Sequence, residues 1–381
     1  MSKRYDTLWA ASAHTKAKIA MLRYYLDAWF PILAQGVPLP ILYVDGFAGP
    51  GYYTNHSEGS PLAALKCIEA AIESLGAKNR CPQITCVFIE EDLKRFEVLQ
   101  EAIEPFRERR RVGIRAFNKR FVDGVLDLER EFELSFQGDH PNFIFADPFC
   151  TGIALHTFKR CMAGKRGELL INLDADGISR IYKADNPRRE EQLDEIFGGR
   201  CWATELGPQD LPLREQANRI LHLYKRRLGE IKGVDYVFQF EMRGKQDTLN
   251  YYLVYATKNP VAMMRMKEAM GKVDQNGQYC FSDADEDQTF LISEDHDAHY
   301  ANKLHVAFVS KGRVPFREVE RFALCETLAK SATPLLRILE TRELIEVEMK
   351  ENATRRRGTF EREKTAFVTF HPIPKQGDFF A

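Results

Sequence analysis

Short apolar runs that each end in a polar residue recur through the first half of the chain. A run that is apolar at consecutive positions predicts a strand buried on both faces, as in a parallel sheet. Segments with apolar residues at helical spacing separate these runs. The polar residues that close the first four runs are Asp45, Glu90, Asn118 and Asp147, and a fifth run spans 167–173. This alternation predicts a doubly wound α/β sheet with right-handed crossovers.

The pattern changes after the fifth strand. A mostly helical section covers 186–228, and two strands at 236–243 and 249–257 follow, with a short polar turn between them. Their spacing predicts an antiparallel hairpin, and a further helix begins after Asn259. Five parallel strands, a hairpin and a helix give the order of a Rossmann-like class I methyltransferase sheet.

An amphipathic helix is predicted ahead of the first strand. Over residues 14–30 the apolar positions recur at helical spacing, namely at Ile19, Leu22, Leu26 and Trp29. Proline lacks the N–H that a helix interior needs, so Pro31 predicts the end of this helix. We expect the helix to pack beside the first strand.

The charge pattern divides the chain into two domains. Residues 281–300 are rich in acids, and no Lys or Arg occurs between 282 and 297, which predicts a solvated linker. Residues 301–381 carry 15 Lys and Arg against 11 Asp and Glu, a net charge of +4, whereas residues 1–300 carry −5. We therefore expect a methyltransferase-like domain over 1–280 and a smaller domain over 301–381.

The smaller domain has the outline of a winged helix-turn-helix. Helices are predicted at 315–323 and 333–342, and strands at 345–349 and 365–370. A basic tip lies between the strands, formed by Arg355, Arg356 and Arg357. Two helices followed by a hairpin with a basic tip indicate nucleic-acid binding, with the arginines contacting phosphates. A small α/β domain with a solvated charge run is the alternative.

The composition is that of a soluble globular protein, with 44% hydrophobic and 29% charged residues in 381. No segment approaches the apolar length of a membrane helix, and the first residues lead into no signal-peptide core. The eight cysteines contain no C-x-x-C pair, which favours a reducing, cytoplasmic environment over a zinc site. His296 and His299 have a possible metal spacing but lie beside the acidic linker, so we predict no metal site.

The segment after the first strand is rich in glycine. Asp45 closes the strand, Phe47 follows, and Gly49 and Gly51 allow sharp turns and close approach of the backbone to a ligand. The spacing is not that of the dinucleotide motif G-x-G-x-x-G, and an acid precedes the loop. A glycine loop alone is a weak signal, but here polar residues also close the neighbouring strands.

These strand ends favour S-adenosylmethionine as the cofactor. Glu90 is placed to accept hydrogen bonds from ribose hydroxyls, Asn118 to reach the adenine edge, and Asp45 to hold the ammonium of the methionine part. The cofactor also carries a sulfonium, so acids near the crevice suit it. A diphosphate would instead require helix N-termini and cations.

The fourth strand ends in Asp147, Pro148 and Phe149. Amino-directed methyltransferases hold a target amine with an Asp or Asn at this position and stack the flipped base on an aromatic ring. They have two prolines here, whereas this chain has one, so activity on a base remains open. Cys150 does not follow the proline directly, as a C5-cytosine nucleophile would, and an inert thiol is the better interpretation.

Four segments together resemble the three-Cys-motif partner proteins (TcmP). They are YYLDAWFPI at 24–32, YVDGFAGPG at 43–51, GSPL at 59–62 and ADPF at 146–149. The resemblance covers most of the first 270 residues, and the C-terminal part looks like the winged-helix module that such proteins can carry. It implies a methyltransferase-like Rossmann fold and a partner protein that bears three cysteines and resembles radical S-adenosylmethionine enzymes.

The leading hypothesis is an S-adenosylmethionine-dependent methyltransferase that acts on DNA or RNA. One alternative is a non-catalytic or cofactor-sensing partner of the three-cysteine protein. Another is a regulator in which the winged helix binds duplex DNA and dominates function. The sequence leaves the acceptor atom and the choice between DNA and RNA open.

Overall fold

A computed structural model describes residues 8–36, 38–75, 82–109, 111–131, 136–148, 152–244, 249–274, 279–282 and 296–373. The chain divides into two compact units, Met1–Gln288 and Thr289–Ala381. Among the described residues, none of the helices combines the length and the apolar character that crossing a membrane requires.

The described part of the first unit contains one eight-stranded sheet. Its order is β3-β2-β1-β4-β5-β7-β6-β8, in which β1 to β5 are parallel and β7 is antiparallel to both β5 and β6. The sheet is therefore mostly parallel, with an antiparallel hairpin formed by β6 and β7, as the strand pattern predicted. The strands are β1 (Ile41–Asp45), β2 (Ile84–Ile89), β3 (Val112–Phe117), β4 (Asn142–Ala146), β5 (Gly167–Leu173), β6 (Tyr236–Arg243), β7 (Leu249–Thr257) and β8 (Cys280–Ser282).

Helices cover both faces of this sheet. They are α1 (Ala13–Gly36), α2 (Ser60–Leu75), α3 (Leu93–Ile103), α4 (Phe121–Glu131), α5 (Leu155–Cys161), α6 (Ala175–Lys183), α7 (Arg189–Phe197), α8 (Trp202–Glu205), α9 (Leu213–Gly229) and α10 (Pro260–Val273), with a 3-10 turn at Glu104–Phe106. α1 packs against α2 and α10, while α6 packs against α7 and α9.

Register brings the polar strand ends to one edge of the sheet. β1 and β4 are buried at every position, because helices cover both of their faces. Asp45 pairs in register with Phe88 of β2 and Phe145 of β4. The residues that follow β2, β3 and β4 therefore leave the sheet on the same side as the glycine loop, which is where open α/β sheets bind ligands.

The first helix does not end at Pro31, contrary to the sequence prediction. α1 continues to Gly36 with Pro31 inside it. Phe30 and Ala34 are buried on either side of the proline. Burial of a side chain such as Phe contributes about 1.5–3 kcal/mol, comparable to the ~3 kcal/mol cost of an interior proline. Packing thus offsets the lost hydrogen bond.

The second unit contains three helices and a three-stranded antiparallel sheet in its described part. The elements are α11 (His296–Phe308), β9 (Arg313–Pro315), α12 (Phe316–Glu326), α13 (Ala332–Thr341), β10 (Ile345–Met349) and β11 (Thr365–Phe370), and the sheet order is β10-β11-β9. The predicted helices correspond to α12 and α13, and the predicted strands to β10 and β11. Sequence patterns missed α11 and β9.

The predicted acidic linker overlaps elements at both of its ends. Residues 281–282 belong to β8 and residues 296–300 to α11, while 283–295 lie outside the described residues. Short strands and helix starts that carry polar side chains have no apolar periodicity, so the charge pattern alone could not locate these boundaries.

Candidate active site

The loop after β1 is fixed by backbone hydrogen bonds to both neighbouring strands. The Gly46 N–H donates to the Phe145 carbonyl at 2.8 Å, and the Ala48 N–H donates to the Ile89 carbonyl at 2.9 Å. A Cβ at Gly46 would lie 2.4 Å from the ring of Phe121. Glycine at this position therefore lets the loop approach α4 more closely than any other residue would.

The later glycines of the loop adopt left-handed backbone conformations. φ is +61° at Gly49 and +86° at Gly51, a region that L side chains rarely enter. The Gly59 N–H donates to the Gly51 carbonyl at 2.7 Å and closes the loop on itself. The Gly49 N–H donates to Oε2 of Glu90 at 2.9 Å. The acid after β2 thus holds the glycine loop in place.

Asp45 is a fully buried acid with spare hydrogen-bonding capacity. Its Oδ1 accepts the Phe47 N–H at 3.4 Å, while Oδ2 has no hydrogen-bond partner among the described residues. Burial raises the pKa of Asp45 to about 7, although the Ser60 hydroxyl and the Phe47 N–H act in the opposite direction. A buried carboxylate oxygen without a donor fits a cationic ligand group.

Glu90 and Asn118 connect the ends of β2 and β3. Glu90 accepts the Asp92 N–H through Oε1 at 2.9 Å, and burial raises its pKa. The Asn118 side-chain amide donates to the carbonyls of Glu90 and Glu91 at 3.0 and 3.1 Å. Both amide protons are therefore used by the fold, which leaves Oδ1 as the Asn118 side-chain atom that could face an adenine.

A cavity of about 670 Å³ lies beside these residues. This volume falls in the range of small-molecule sites, roughly 300–1,000 Å³. The cavity is bounded by the glycine loop and by the segments that follow β2 and β3. Its lining residues are Gly46, Phe47, Ile89, Glu90, Glu91, Asp92, Arg95, Lys119, Arg120 and Phe121.

The charges around the cavity do not suit a diphosphate. The Asp92 side chain caps the N-terminus of α3 by accepting the Arg95 N–H, so that helix end is not free to bind an anion. Lys119 pairs with Asp127, and Arg120 pairs with Asp123. The acids Glu90 and Glu91 meanwhile face the same cavity. Arg95 also lines the cavity and lies 4.9 Å from the ring centre of Trp9, so the lining holds three acids and three bases and has no excess of cations for a diphosphate.

Asp147, after β4, is bound by two side chains from other elements. Its Oδ2 forms an ion pair with Nζ of Lys18 on α1, and its Oδ1 accepts the Asn172 side-chain amide of β5 at 2.8 Å. Pro148 is buried beside it. Phe149 and Cys150 lie outside the described residues, so their predicted roles remain predictions.

Lys18 is a functional candidate that the sequence predictions missed. It is buried, and its ammonium lies 5.5 Å from the ring centre of Tyr251. Burial alone would lower its pKa, but the Asp147 carboxylate outweighs this effect and raises the pKa above its ordinary value. The missed signal was its position on the apolar stripe of α1, three residues before the buried Met21 and seven before the buried Tyr25.

The structure separates the three arginines of the β10–β11 connection. Arg355 forms an ion pair with Glu340 of α13 and is mostly buried. The Arg357 side chain donates to the Glu340 carbonyl at 3.2 Å but remains exposed, and Arg356 is exposed. Arg355 is thus engaged in the fold of the unit, while Arg356 and Arg357 face solvent.

No family model matches the chain, and no curated protein matches its sequence. Among solved structures, it is similar to Trm1 from Pyrococcus horikoshii in complex with S-adenosyl-L-methionine, at 11% identity and a TM-score of 0.41, covering 83% of this chain and 90% of that one. It is similar to an O-methyltransferase from Bacillus cereus in complex with SAH, at 12% identity and a TM-score of 0.35, covering 65% of this chain and 82% of that one. It is also similar to the O-methyltransferase TomG from Streptomyces achromogenes, at 13% identity and a TM-score of 0.35, covering 66% of this chain and 82% of that one. These similarities carry no assignment of activity.

Proposed function

We propose that the protein is an S-adenosylmethionine-dependent methyltransferase that acts on nucleic acid. The main support for this cofactor is the environment of Asp45. It is a buried acid with an unpartnered oxygen, directly before the loop that bounds the cavity of about 670 Å³. An ammonium supplies the donor that this oxygen lacks. Glu90, which follows the neighbouring strand β2, is placed to bind the same ligand.

Each polar or glycine residue at this edge of the sheet has a separate role in this proposal. Asp45 binds the amino group of the methionine part, and the backbone of Gly49 and Gly51, which both have positive φ, contacts the same part of the cofactor. Each oxygen of Glu90 already accepts one backbone N–H and has a second lone pair for a ribose hydroxyl. Bound cofactor supplies an electrophilic methyl group on sulfur.

Calorimetry with S-adenosylhomocysteine tests the cofactor proposal. Glu90→Gln removes a charge-assisted hydrogen bond, a change of about 1.5–3 kcal/mol, so we expect affinity to fall roughly 10- to 150-fold. Glu97→Gln, an exposed change on α3, is the control and should bind as wild type does. The proposal fails if the wild type does not bind or if both variants bind equally.

The second unit supports nucleic acid as the substrate class. We infer that its order of helix, strand, two helices and a hairpin is a winged helix-turn-helix, in which α13 would be the recognition helix. The exposed Arg356 and Arg357 lie in the wing, and Arg337 is exposed on α13. The net charge of +4 over 301–381 is in keeping with phosphate contacts.

Salt-dependent binding tests this inference on the whole chain. Fluorescence anisotropy with labelled RNA and DNA should show affinity that falls linearly with the logarithm of salt concentration. Arg356→Ala should reduce that slope by about 0.7 to 0.9, the value for one lost phosphate contact. Lys303→Ala on α11 removes the same charge and should leave the slope nearly unchanged. Equal slopes for the two variants would exclude the wing as the site of phosphate contact. Sequence-selective binding of duplex DNA without methyl transfer would favour a regulator over a methyltransferase.

A partner module for a three-cysteine protein is the second candidate, and two observations favour it. The Lys18 ammonium already pairs with Asp147, so an amine held by Asp147 would lie beside a buried positive charge. The motif also has one proline. Incubation with labelled cofactor and mixed DNA and RNA, with and without that partner, separates the candidates. Transfer abolished by Asp147→Ala supports the enzyme, and no transfer under either condition supports the module.

A further inference from the structure

A buried cation occupies the position where an amine acceptor would be expected. We call Lys18, Asp147 and Asn172 the acceptor site. The Asp147 carboxylate has one oxygen on the Lys18 ammonium and the other on the Asn172 amide. Oδ1 of Asn172 is buried and has no hydrogen-bond partner in the part of the chain that the structure describes.

This arrangement is unfavourable for an amine. A nitrogen that accepts a methyl group becomes more positive as the bond forms, and the ammonium of Lys18 would repel it. Lys18 keeps its protons because its pKa is raised, so it cannot act as the base that receives a proton from the acceptor. A hydroxyl has the opposite requirement, because its oxygen becomes more negative as its proton leaves.

We propose that the acceptor site takes a hydroxyl oxygen, which in a nucleic acid is the ribose 2′-hydroxyl, and that the substrate is therefore RNA. This rests on the proposed function. The hydroxyl oxygen bonds to the methyl carbon, the carbon–sulfur bond breaks with its electron pair left on sulfur, and the hydroxyl proton passes to the Asp147 carboxylate. Lys18 stabilises the negative charge on oxygen, and Asn172 orients Asp147.

Alkaline hydrolysis identifies the methylated atom. A 2′-O-methyl group blocks the attack by which alkali cleaves RNA, so label on the ribose appears in dinucleotides, whereas label on a base appears in mononucleotides. We expect dinucleotides from RNA and no transfer to matched DNA. Lys18→Met should lower the transfer rate about 100-fold, the effect of removing one charge-stabilising donor, while Lys18→Arg retains most of it. Lys16→Met, an exposed change on the same helix, should act as wild type.

A binding assay provides a readout apart from activity. In the presence of S-adenosylhomocysteine, the protein should bind an RNA oligonucleotide more tightly than its 2′-deoxy counterpart, because only RNA offers the hydroxyl. Lys18→Met should abolish this preference. Because that change leaves the half-buried Asp147 without its ion-pair partner, the Lys18→Met/Asp147→Asn double variant, which has no unpaired charge, is measured beside it with a thermal melt.

The outcomes separate this inference from the proposed function. If wild type does not bind S-adenosylhomocysteine, the cofactor proposal fails first. If it binds but the label appears in mononucleotides, or Lys18→Met transfers as wild type does, the acceptor inference is overturned while the methyltransferase remains. If no transfer occurs, equal wild-type affinity for RNA and its 2′-deoxy counterpart overturns the inference. A wild-type preference for RNA that is lost in both Lys18→Met and the Lys18→Met/Asp147→Asn double variant supports it.

Discussion

Replacement of Asp45 by Asn should remove the pH dependence of cofactor binding. The substitution keeps the shape of the side chain and deletes its charge. Under the proposed function, the ammonium of the cofactor binds the ionised form of Asp45 in the wild type, so affinity should rise with pH as the carboxyl loses its proton. The Asn variant has no proton to lose and should bind weakly and equally at each pH.

The size of the effect follows from the pKa of Asp45. Burial raises this pKa to about 7, and the nearby charges of Asp147 and Glu90 act in the same direction. The ionised fraction is then roughly a tenth at pH 6 and nine-tenths at pH 8, so affinity should change about tenfold between them. At pH 8 the Asn variant lacks a charge-assisted hydrogen bond worth about 1.5–3 kcal/mol.

The same pKa makes a prediction for the unliganded protein. The folded-state pKa is raised from the ordinary 3.8 to about 7, so the contribution of Asp45 to stability is fully present below pH 4 and is lost as pH rises through 7. The loss amounts to at most about 4 kcal/mol at 1.36 kcal/mol per pKa unit. Asp45→Asn should not show it, whereas Asp139→Asn, on the surface, should unfold with the pH dependence of wild type.

Calorimetry with S-adenosylhomocysteine from pH 5.5 to 8 measures the first effect. Urea unfolding from pH 4 to 8 measures the second, because the loss of stability extends from about pH 4 to about pH 7. Wild-type binding that does not vary with pH would refute the role of Asp45 in holding the ammonium. A tenfold change that persists in Asp45→Asn would assign the titration to another group. Either result would leave Glu90 as the remaining acid to examine.

Two further changes test the packing within each unit. Gly46→Ala places a Cβ 2.4 Å from the Phe121 ring and should destabilise the protein by about 1–3 kcal/mol in urea unfolding; Gly36→Ala, where a Cβ meets no atom within 4 Å, should not. Glu340→Gln weakens the pair with Arg355 and should lower the melting temperature of the second unit, since a buried group left unpaired costs about 1–3 kcal/mol. An unchanged melt would show that the pair contributes little.

Sequence patterns predicted which residues lie at this edge of the sheet, because their positions depend on strand register. A run that is buried on both faces must lie inside a parallel sheet, and the ends of parallel neighbours meet at one edge. Asp45, Glu90 and Asp147 could therefore be assigned to one edge before their contacts were known. The sharp turns predicted at Gly49 and Gly51 are present, since both residues have positive φ, which glycine adopts without strain.

The contacts between distant elements could not be predicted in this way. Lys18 meets Asp147 across more than a hundred residues, and a single lysine on a helix is more often a solvated side chain than a partner of a strand end. The pairing of Arg355 with Glu340 depends on how the β10–β11 connection folds back on α13. A run of three arginines in the sequence does not reveal which of them the fold will use.

The charge balance of the edge gives one physical reason for a cationic cofactor. Asp147 is matched by the buried Lys18, and the oxygens of Glu90 each accept a backbone N–H. Asp45 is left with an unpartnered oxygen, and its raised pKa reflects the cost of burying that charge. A ligand that brings an ammonium removes this cost, while a diphosphate would increase it. Under the proposed function, this edge of the sheet therefore favours a ligand that places an ammonium beside Asp45, as Lys18 places one beside Asp147.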